Sequence, residues 1–480
     1  MYSCCRLSLL GSFLLVTVTA QAQPAPETII RGGDVFVEGG VRSADIRIVG
    51  TTITEVGSDL EPRGASSEVL DADGLLVLPG GIDPHVHLGG VRADGYESGS
   101  RAALAGGITT ISNFGGVREG ETPAETLARA TPEIESESIA DVIFHPNVSD
   151  PTSATTDTLE TLATAGQTTI KVFMVRPSFE QAVPGFMATM RAARDTGVLM
   201  MMHCEDAAIV QSTAEHFIAE GRGSLANFAD ARPVAAVVAA TQRAVAMAEA
   251  TETPIYIVHL SSERALRVAE DAQARGVPVY VETRPIYLHL TRERFDGPTP
   301  GLYIGQPPLR TADDQDALWD GIARGTIHVV ATDHVAYTRE EKLDLAQNVA
   351  QHRAGMSNLQ VMLPMLFSDG VNTGRIPLER FVEVSASNPA KLFGLYPRKG
   401  AIAVGSDADL VLWDPNETRT IRNEDMFSGS RYSVHAGRVI TGWPTLTMRR
   451  GEIVYRDGEI LGDVGSGELL ERARWQDPGL

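Results

Sequence analysis

The run Leu75-Leu76-Val77-Leu78-Pro79-Gly80-Gly81-Ile82-Asp83-Pro84 ends in His85-Val86-His87, and the reading of that ending decides the fold. Residues two apart on an extended strand point to the same side, so an HxH pair aims two imidazoles at one point, where a metal ion can sit. Alone, the pair reads as two partly exposed polar residues at a strand end. Four later segments change that reading, because each is an apolar strand that carries or ends in a possible ligand. They are 168–174 with Lys171, 197–205 with His203, 254–261 with His259 and 328–334 with Asp333.

Working outward, residues 81–396 alternate short apolar strands with helix-like stretches. Further strands are expected at 109–114, 141–148 and 278–283, giving eight in all. Between them lie segments rich in Ala, Glu and Arg, such as 98–105, 125–130, 234–250 and 263–275, often with Gly just after the end. Strand and helix repeated eight times is the pattern of an α/β fold of the (β/α)8 barrel kind, whose chemistry gathers at the C-terminal ends of the strands. The suspected ligands fall at or near those ends on the first, fourth, fifth, sixth and eighth strands.

Both ends of the chain read differently. From 28 to about 77, and again in Ala408-Asp409-Leu410-Val411-Leu412-Trp413 and Glu452-Ile453-Val454-Tyr455, apolar and polar residues alternate with period two. Asp457-Gly458 is a hairpin signal. Two β-rich ends around a different middle predict a small β-sandwich built from both termini, 23–80 and 397–480, although either end could fold separately.

A chain of 480 residues with 43% hydrophobic residues can bury a large core. A net charge of −21 argues against nucleic acid and against an anionic membrane face as partners. Residues 1–22 resemble a cleaved export signal: Arg6 precedes an apolar core at 7–20, with small residues Ala20 and Ala22 before Gln23. That core is shorter than the roughly 20 residues a spanning helix needs, so no stable membrane anchor is expected and the mature protein would be secreted or periplasmic. Cys4 and Cys5 would leave with the signal, and Cys204 alone can form no internal disulfide.

Imidazole and carboxylate donors hold a divalent ion while leaving a position open for water. The candidate set is His85, His87, His203, His259 and Asp333, with Lys171 as the odd member. Desolvation on its apolar strand favours the neutral amine of Lys171, which can take up carbon dioxide as a bridging carbamate. The other reading is a barrel-lining lysine paired to a carboxylate. Two water-activating metals and Asp333 as proton carrier would suffice to hydrolyse an amide.

At this point the chain resembles the amidohydrolase superfamily, and within it the dihydropyrimidinase/hydantoinase branch. The resemblance runs through Pro79 to His87, Lys171-Val172-Phe173-Met174, His203-Cys204-Glu205, Val258-His259-Leu260-Ser261 and Thr332-Asp333-His334. It continues through Asn388-Pro389-Ala390-Lys391-Leu392-Phe393-Gly394 and Gly405-Ser406-Asp407-Ala408-Asp409-Leu410. What it implies is a (β/α)8 barrel with a β-sandwich and a centre of two divalent ions, usually zinc. By the same match His85, His87 and Asp333 would bind the more buried ion, His203 and His259 the other, and Lys171, as N6-carboxylysine, both. Relatives are commonly dimers or tetramers, which makes a homo-oligomer the expectation.

The pattern breaks in the substrate pocket. Where the family usually has a tyrosine five residues after the lysine, this chain has Arg176. Gln306 and Ala354 stand where a serine and an asparagine usually contact the ring amide. An arginine there either clamps a substrate carboxylate or points to solvent. Nor does an arginine follow the HxH motif directly, as it commonly does in dihydroorotases; Leu88-Gly89-Gly90 follow. His145 and His334 could face the barrel mouth or be structural. His216, His289, His328 and His352 carry no signal, and His435 belongs to the tail. The expectation is an exported binuclear hydrolase that opens a cyclic amide, imide or ureide. The alternatives are hydrolysis of an open-chain N-acyl amino acid or dipeptide, and a non-catalytic scaffold.

Overall fold

The computed structural model describes residues 1–2 and 25–480. Apart from its first two residues, the expected export segment lies outside the described residues. Among the described residues no helix is long and apolar enough to cross a membrane.

Eight parallel strands succeed one another around the barrel: Gly81–Asp83, Ile108–Gly116, Asp141–Asn147, Thr169–Phe173, Leu199–His203, Ile255–Ile257, Val279–Thr283 and Val329–Val330. Alternation decides which side chains turn inward. Met200 and Met202 pack outward against the helices, while Leu199 and Met201 join Tyr256 and Val258 in the barrel interior. Both faces are buried, which is why these strands read as continuous apolar runs. His203 ends the inward row of the fifth strand.

The eighth segment differs from its expectation as one strand at 328–334. Val329–Val330 stays in the barrel sheet, but His334–Val335 leaves it and pairs in parallel with Val86–His87. Residues between them are drawn off the ladder by Asp83, whose carboxylate accepts from the Thr332 N–H and hydroxyl, and Asp333 adopts φ +45°. The pairing closes the ring at its upper rim and sets the HxH segment beside Asp333.

The covering helices start where capping groups allow. Thr122 and Glu125 form a capping box at Pro123–Glu137. Gly197, in a left-handed conformation, ends Val183–Thr196 and turns the chain into the fifth strand.

The two ends of the chain do not fold separately. Leu76–Pro79 pairs antiparallel with Leu410–Thr420, joining N- and C-terminal strands in one nine-stranded sheet. Ile30, Val35 and Ile46 share a core with Leu410, Leu412 and Met448, so the sheet folds over on itself as a sandwich. Asp457 and Gly458, both at positive φ, turn the predicted hairpin between Glu452–Arg456 and Glu459–Ile460. The tail beyond it returns to the barrel: Leu469 bridges to Val142, and Leu470 and Trp475 pack with Phe393 beneath the interior. The last residues therefore form part of the barrel floor, a role the sequence pattern did not signal.

Candidate metal centre

The suspected ligands converge at the opposite end, the C-terminal mouth. His85, His87 and Asp333 form a group whose ligand atoms all lie within 4.8 Å of one another. Asp333 Oδ1 stands 3.3 Å from His85 Nε2 and 3.1 Å from His87 Nε2. The His203 and His259 rings lie 4.5 Å apart, and His259 is 5.5 Å from His85. Lys171 is wholly buried, and its Nζ has no hydrogen-bond partner among the described residues.

Backbone geometry completes what strand alternation cannot. Tyr256 and Val258 point inward, so His259 would point outward on a regular strand. It adopts φ +41° instead, a conformation a histidine rarely takes, and this lets its ring join the site. The seventh strand then holds it: the His259 N–H donates to Glu282 Oε1 at 2.9 Å.

Glu282, itself fully buried, organises the inner half of the centre. It accepts from the Tyr256 hydroxyl at 2.9 Å and lies 2.7 Å from His85 Nδ1. A carboxylate can only accept there, so His85 carries its proton on Nδ1 and keeps the Nε2 lone pair for the site. Glu205 does the converse for His203. It lies 2.9 Å from Nε2 and is held by Arg232, which leaves Nδ1 facing the pocket.

Electrostatics favour the metal-ready forms. Burial pulls the His87 imidazole down to about 3, although Asp333 opposes it, and burial likewise lowers His203 and holds His259 well below the usual range. Neutral imidazoles are the ligating form. Burial pulls the Lys171 ammonium down to about 8, against the attraction of Glu282 and Asp333. For Asp333, burial alone would raise the carboxyl, but the Arg284 guanidinium and the His85 and His87 rings outweigh it and hold it well below the usual range. Arg284 Nη1 lies 3.2 Å from Asp333 Oδ2.

The four histidines, Asp333 and Arg284 line a cavity of about 240 Å³, whereas Lys171 is not among its lining residues. All three expected substrate residues, Arg176, Gln306 and Ala354, lie on its wall. Arg176 is an exposed rim residue, yet its Cζ sits 4.3 Å from the centre of the Phe173 ring and its Nη1 donates to Ser149 Oγ at 2.8 Å. Gln306 Nε2 meets His352 Nε2 at 2.8 Å, so a histidine without any sequence signal positions a wall residue. A larger cavity of about 650 Å³, lined in part by Arg419, Trp443 and Tyr455, has no histidine or cysteine in its lining.

Other histidines resolve as structural. His145 is buried with Nδ1 2.5 Å from Thr169 Oγ1, and His334 pairs with buried Asp94 at 2.8 Å; neither lines the cavity. Sequence reasoning missed Glu282, Glu205, Arg284 and Arg92. A lone glutamate in the apolar strand Val279–Thr283 carries the same signal as Lys171 and could have been found. Arg92 could not be read from spacing, because it lies beyond the Leu88-Gly89-Gly90 that follow the HxH motif, and only the fold of that loop puts it on the cavity wall.

Comparison with known proteins agrees with this architecture. The amidohydrolase family model matches residues 76–454. A D-hydantoinase of Ralstonia pickettii is 35% identical over 461 residues, spanning 94% of this chain and 100% of that protein. A D-hydantoinase of Rhizobium radiobacter is 34% identical over the same shares. The crystal structure of a dihydropyrimidinase from Brevibacillus agri NCHU1002 superposes with a TM-score of 0.89 at 33% identity, covering 94% of this chain and 99% of that one. By the family model and by relatives matched along nearly their whole length, the chain belongs to the amidohydrolase family, in its hydantoinase and dihydropyrimidinase branch.

Proposed function

We propose that this protein is an exported hydrolase that opens a small cyclic amide, imide or ureide at a centre of two divalent ions. The observation that carries the reading is the cluster of His85, His87 and Asp333 at the barrel mouth, with the buried Lys171 amine close enough to feel the Asp333 charge and without a hydrogen-bond partner among the described residues. The donor set fits such ions: neutral imidazoles, one ionised carboxylate and an amine that lacks any partner. His85, His87 and Asp333 would hold one ion, and His203 and His259 the other. Carbon dioxide adds to the neutral Lys171 amine, forming an N–C bond and releasing one proton, and the resulting N6-carboxylysine would serve both. The nitrogen-rich donor set suits zinc. When bound, the ions supply positive charge that acidifies water towards neutrality and polarises a carbonyl oxygen.

The chain's own groups do the rest. Asp333, kept ionised by Arg284, takes the proton of the attacking water and returns it to the departing ring nitrogen. Glu282 and Glu205 fix which nitrogen of His85 and His203 faces the site. Arg176, Gln306 and Ala354 rebuild the wall that receives the ring, so the pocket departs from that of the neutral-ring relatives. Export rests on the signal-like 1–22, and a homo-oligomer on the resemblance.

Purified protein supplied with zinc and bicarbonate should open hydantoin-type or dihydropyrimidine rings and leave N-acyl amino acids intact. Its metal content should approach two per chain. Turnover confined to open-chain amides, or purification without stoichiometric metal at full activity, would overturn the reading.

A further inference from the structure

The cavity carries more positive charge than the chemistry at its floor needs. Asp333 is the one carboxylate on its wall, and Arg284 already pairs with it. Two further arginines line the same space and form no ion pair among the described residues. Arg92, half-buried, donates from Nη1 to the carbonyls of Leu88 at 3.3 Å and Gly89 at 3.2 Å. Its Nε is buried without any hydrogen-bond partner. Arg176 spends one nitrogen on the neutral Ser149 hydroxyl and rests on the Phe173 ring.

The chain carries a net charge of −21, and many of its arginines meet carboxylates, as Arg129 meets Glu121 and Arg232 meets Glu205. Arg92 and Arg176 meet none and stand on the wall of the cavity that holds the histidine cluster. For half-buried Arg92, a donor fork left partly unused is costly unless an anion completes it, whereas Arg176 at the exposed rim simply has donors to add. Arg92 enters from the loop after the first barrel strand and Arg176 from beyond the fourth, so two sides of the cavity present such forks. Near them, the Asn147 Oδ1 acceptor is buried and unpartnered, suited to a ring N–H.

We propose that the substrate is a small ring bearing a carboxylate on a short substituent, with Arg92 and Arg176 as the residues that hold the carboxylate. The proposal rests on the ring-opening reading above and narrows its substrate class. A space of about 240 Å³ accommodates a five- or six-membered ring with a short acidic arm. The preference follows from charge: a carboxylate accepts a bidentate pair of bonds from guanidinium, and its neutral amide does not.

The test is a matched pair that shares shape and differs in charge, 5-(carboxymethyl)hydantoin and 5-(carbamoylmethyl)hydantoin. Both kcat/KM and calorimetric affinity are measured on the zinc- and bicarbonate-loaded enzyme. The acid is expected to exceed the amide by about tenfold or more, the factor that one charge-assisted bond supplies. Arg92→Gln and Arg176→Gln should each bring the ratio towards one, and Arg92→Lys should restore part of it. Because the ratio is taken within one protein, a loss of folded fraction cancels. Equal kcat/KM for acid and amide in the wild type, or a ratio unmoved in both glutamine variants, overturns the proposal. If neither ring opens, the ring-opening reading fails, and the calorimetric ratio decides the clamp: equal affinities overturn it and a retained preference upholds it.

Discussion

Lys171 and Lys399 are both buried lysines of the barrel, at opposite ends, and they live in opposite surroundings. Lys399 Nζ sits among three carboxylates, 2.7 Å from Asp141, 2.7 Å from Asp409 and 3.1 Å from Asp407. Burial opposes its charge, but those carboxylates raise its pKa. They also tie the start of the third barrel strand to the terminal sandwich, where Thr109 and the Arg450 N–H bind Asp409 as well. Lys171 has the same burial and no partner, and its ammonium is pulled down to about 8. The floor satisfies its lysine and gains a fixed joint between domains. At the mouth, the lysine is left without a hydrogen-bond partner among the described residues. An unpaired buried amine is destabilising by itself, so its presence marks a site where function overrides stability.

One substitution made at both ends should separate these roles. Lys171→Met removes the proposed bridging ligand, and turnover should fall on the order of 10³-fold or more, about 4 kcal/mol of transition-state stabilisation. Its metal content by elemental analysis should drop with it, while the urea midpoint stays or rises because the lost amine had no hydrogen bond. A Lys171→Met enzyme with full activity and metal would break the contrast. Lys399→Met should do the reverse. It leaves three carboxylates facing one another, at a cost of about 3–5 kcal/mol. The urea midpoint should fall sharply, while turnover per folded molecule persists. A stable Lys399→Met protein would mean that the floor cluster is ornamental.

A smaller effect tests the middle of the barrel, where the Glu282 carboxylate, not itself a proposed ligand, orients His85, which is one. Glu282→Gln keeps the volume and a hydrogen bond but no longer fixes the proton of His85 on Nδ1. Metal affinity, read by equilibrium dialysis against a chelator, should weaken about 10–100-fold. An unchanged affinity would show that His85 is oriented by packing against Phe114, whose ring centre is 5.0 Å from its own.

What the sequence made legible follows the same division. The candidate ligands that the structure brings together were readable because a charged or imidazole side chain on an apolar strand is anomalous wherever it occurs, and five strands carried one. The barrel and the paired ends were readable because period-two runs and helix-like runs alternate visibly. Geometry that depends on a single dihedral was not readable: alternation from Tyr256 and Val258 points His259 the wrong way, and only its left-handed backbone corrects this. Nor were partners distant in sequence, such as Glu282 for His85, 197 positions away. Arg92 failed for a third reason. Its place is set by a loop, where spacing carries no period, so an arginine absent from the motif still reaches the cavity. The floor role of Leu470 and Trp475 was invisible because a short irregular tail has no pattern to read.

The weakest expected effect lies farthest from the mouth, in the terminal sheet, and concerns acid. The Ser67 hydroxyl and the Arg63 N–H, with Arg47 beside them, hold the Glu27 carboxyl down to about 2, against its burial. Its folded pKa lies below the unfolded value of roughly 4.3. The contribution is therefore fully present above that value and is lost as pH falls towards 2, because in this window unfolding takes up a proton that the folded carboxyl does not bind. Stability measured by urea titration should decline through this window, and Glu27→Gln should flatten the decline while leaving neutral-pH turnover intact. If Glu27→Gln instead lowered metal content, the sandwich and the mouth would be coupled through the barrel wall, and the division between a structural end and a reactive end would have to be redrawn.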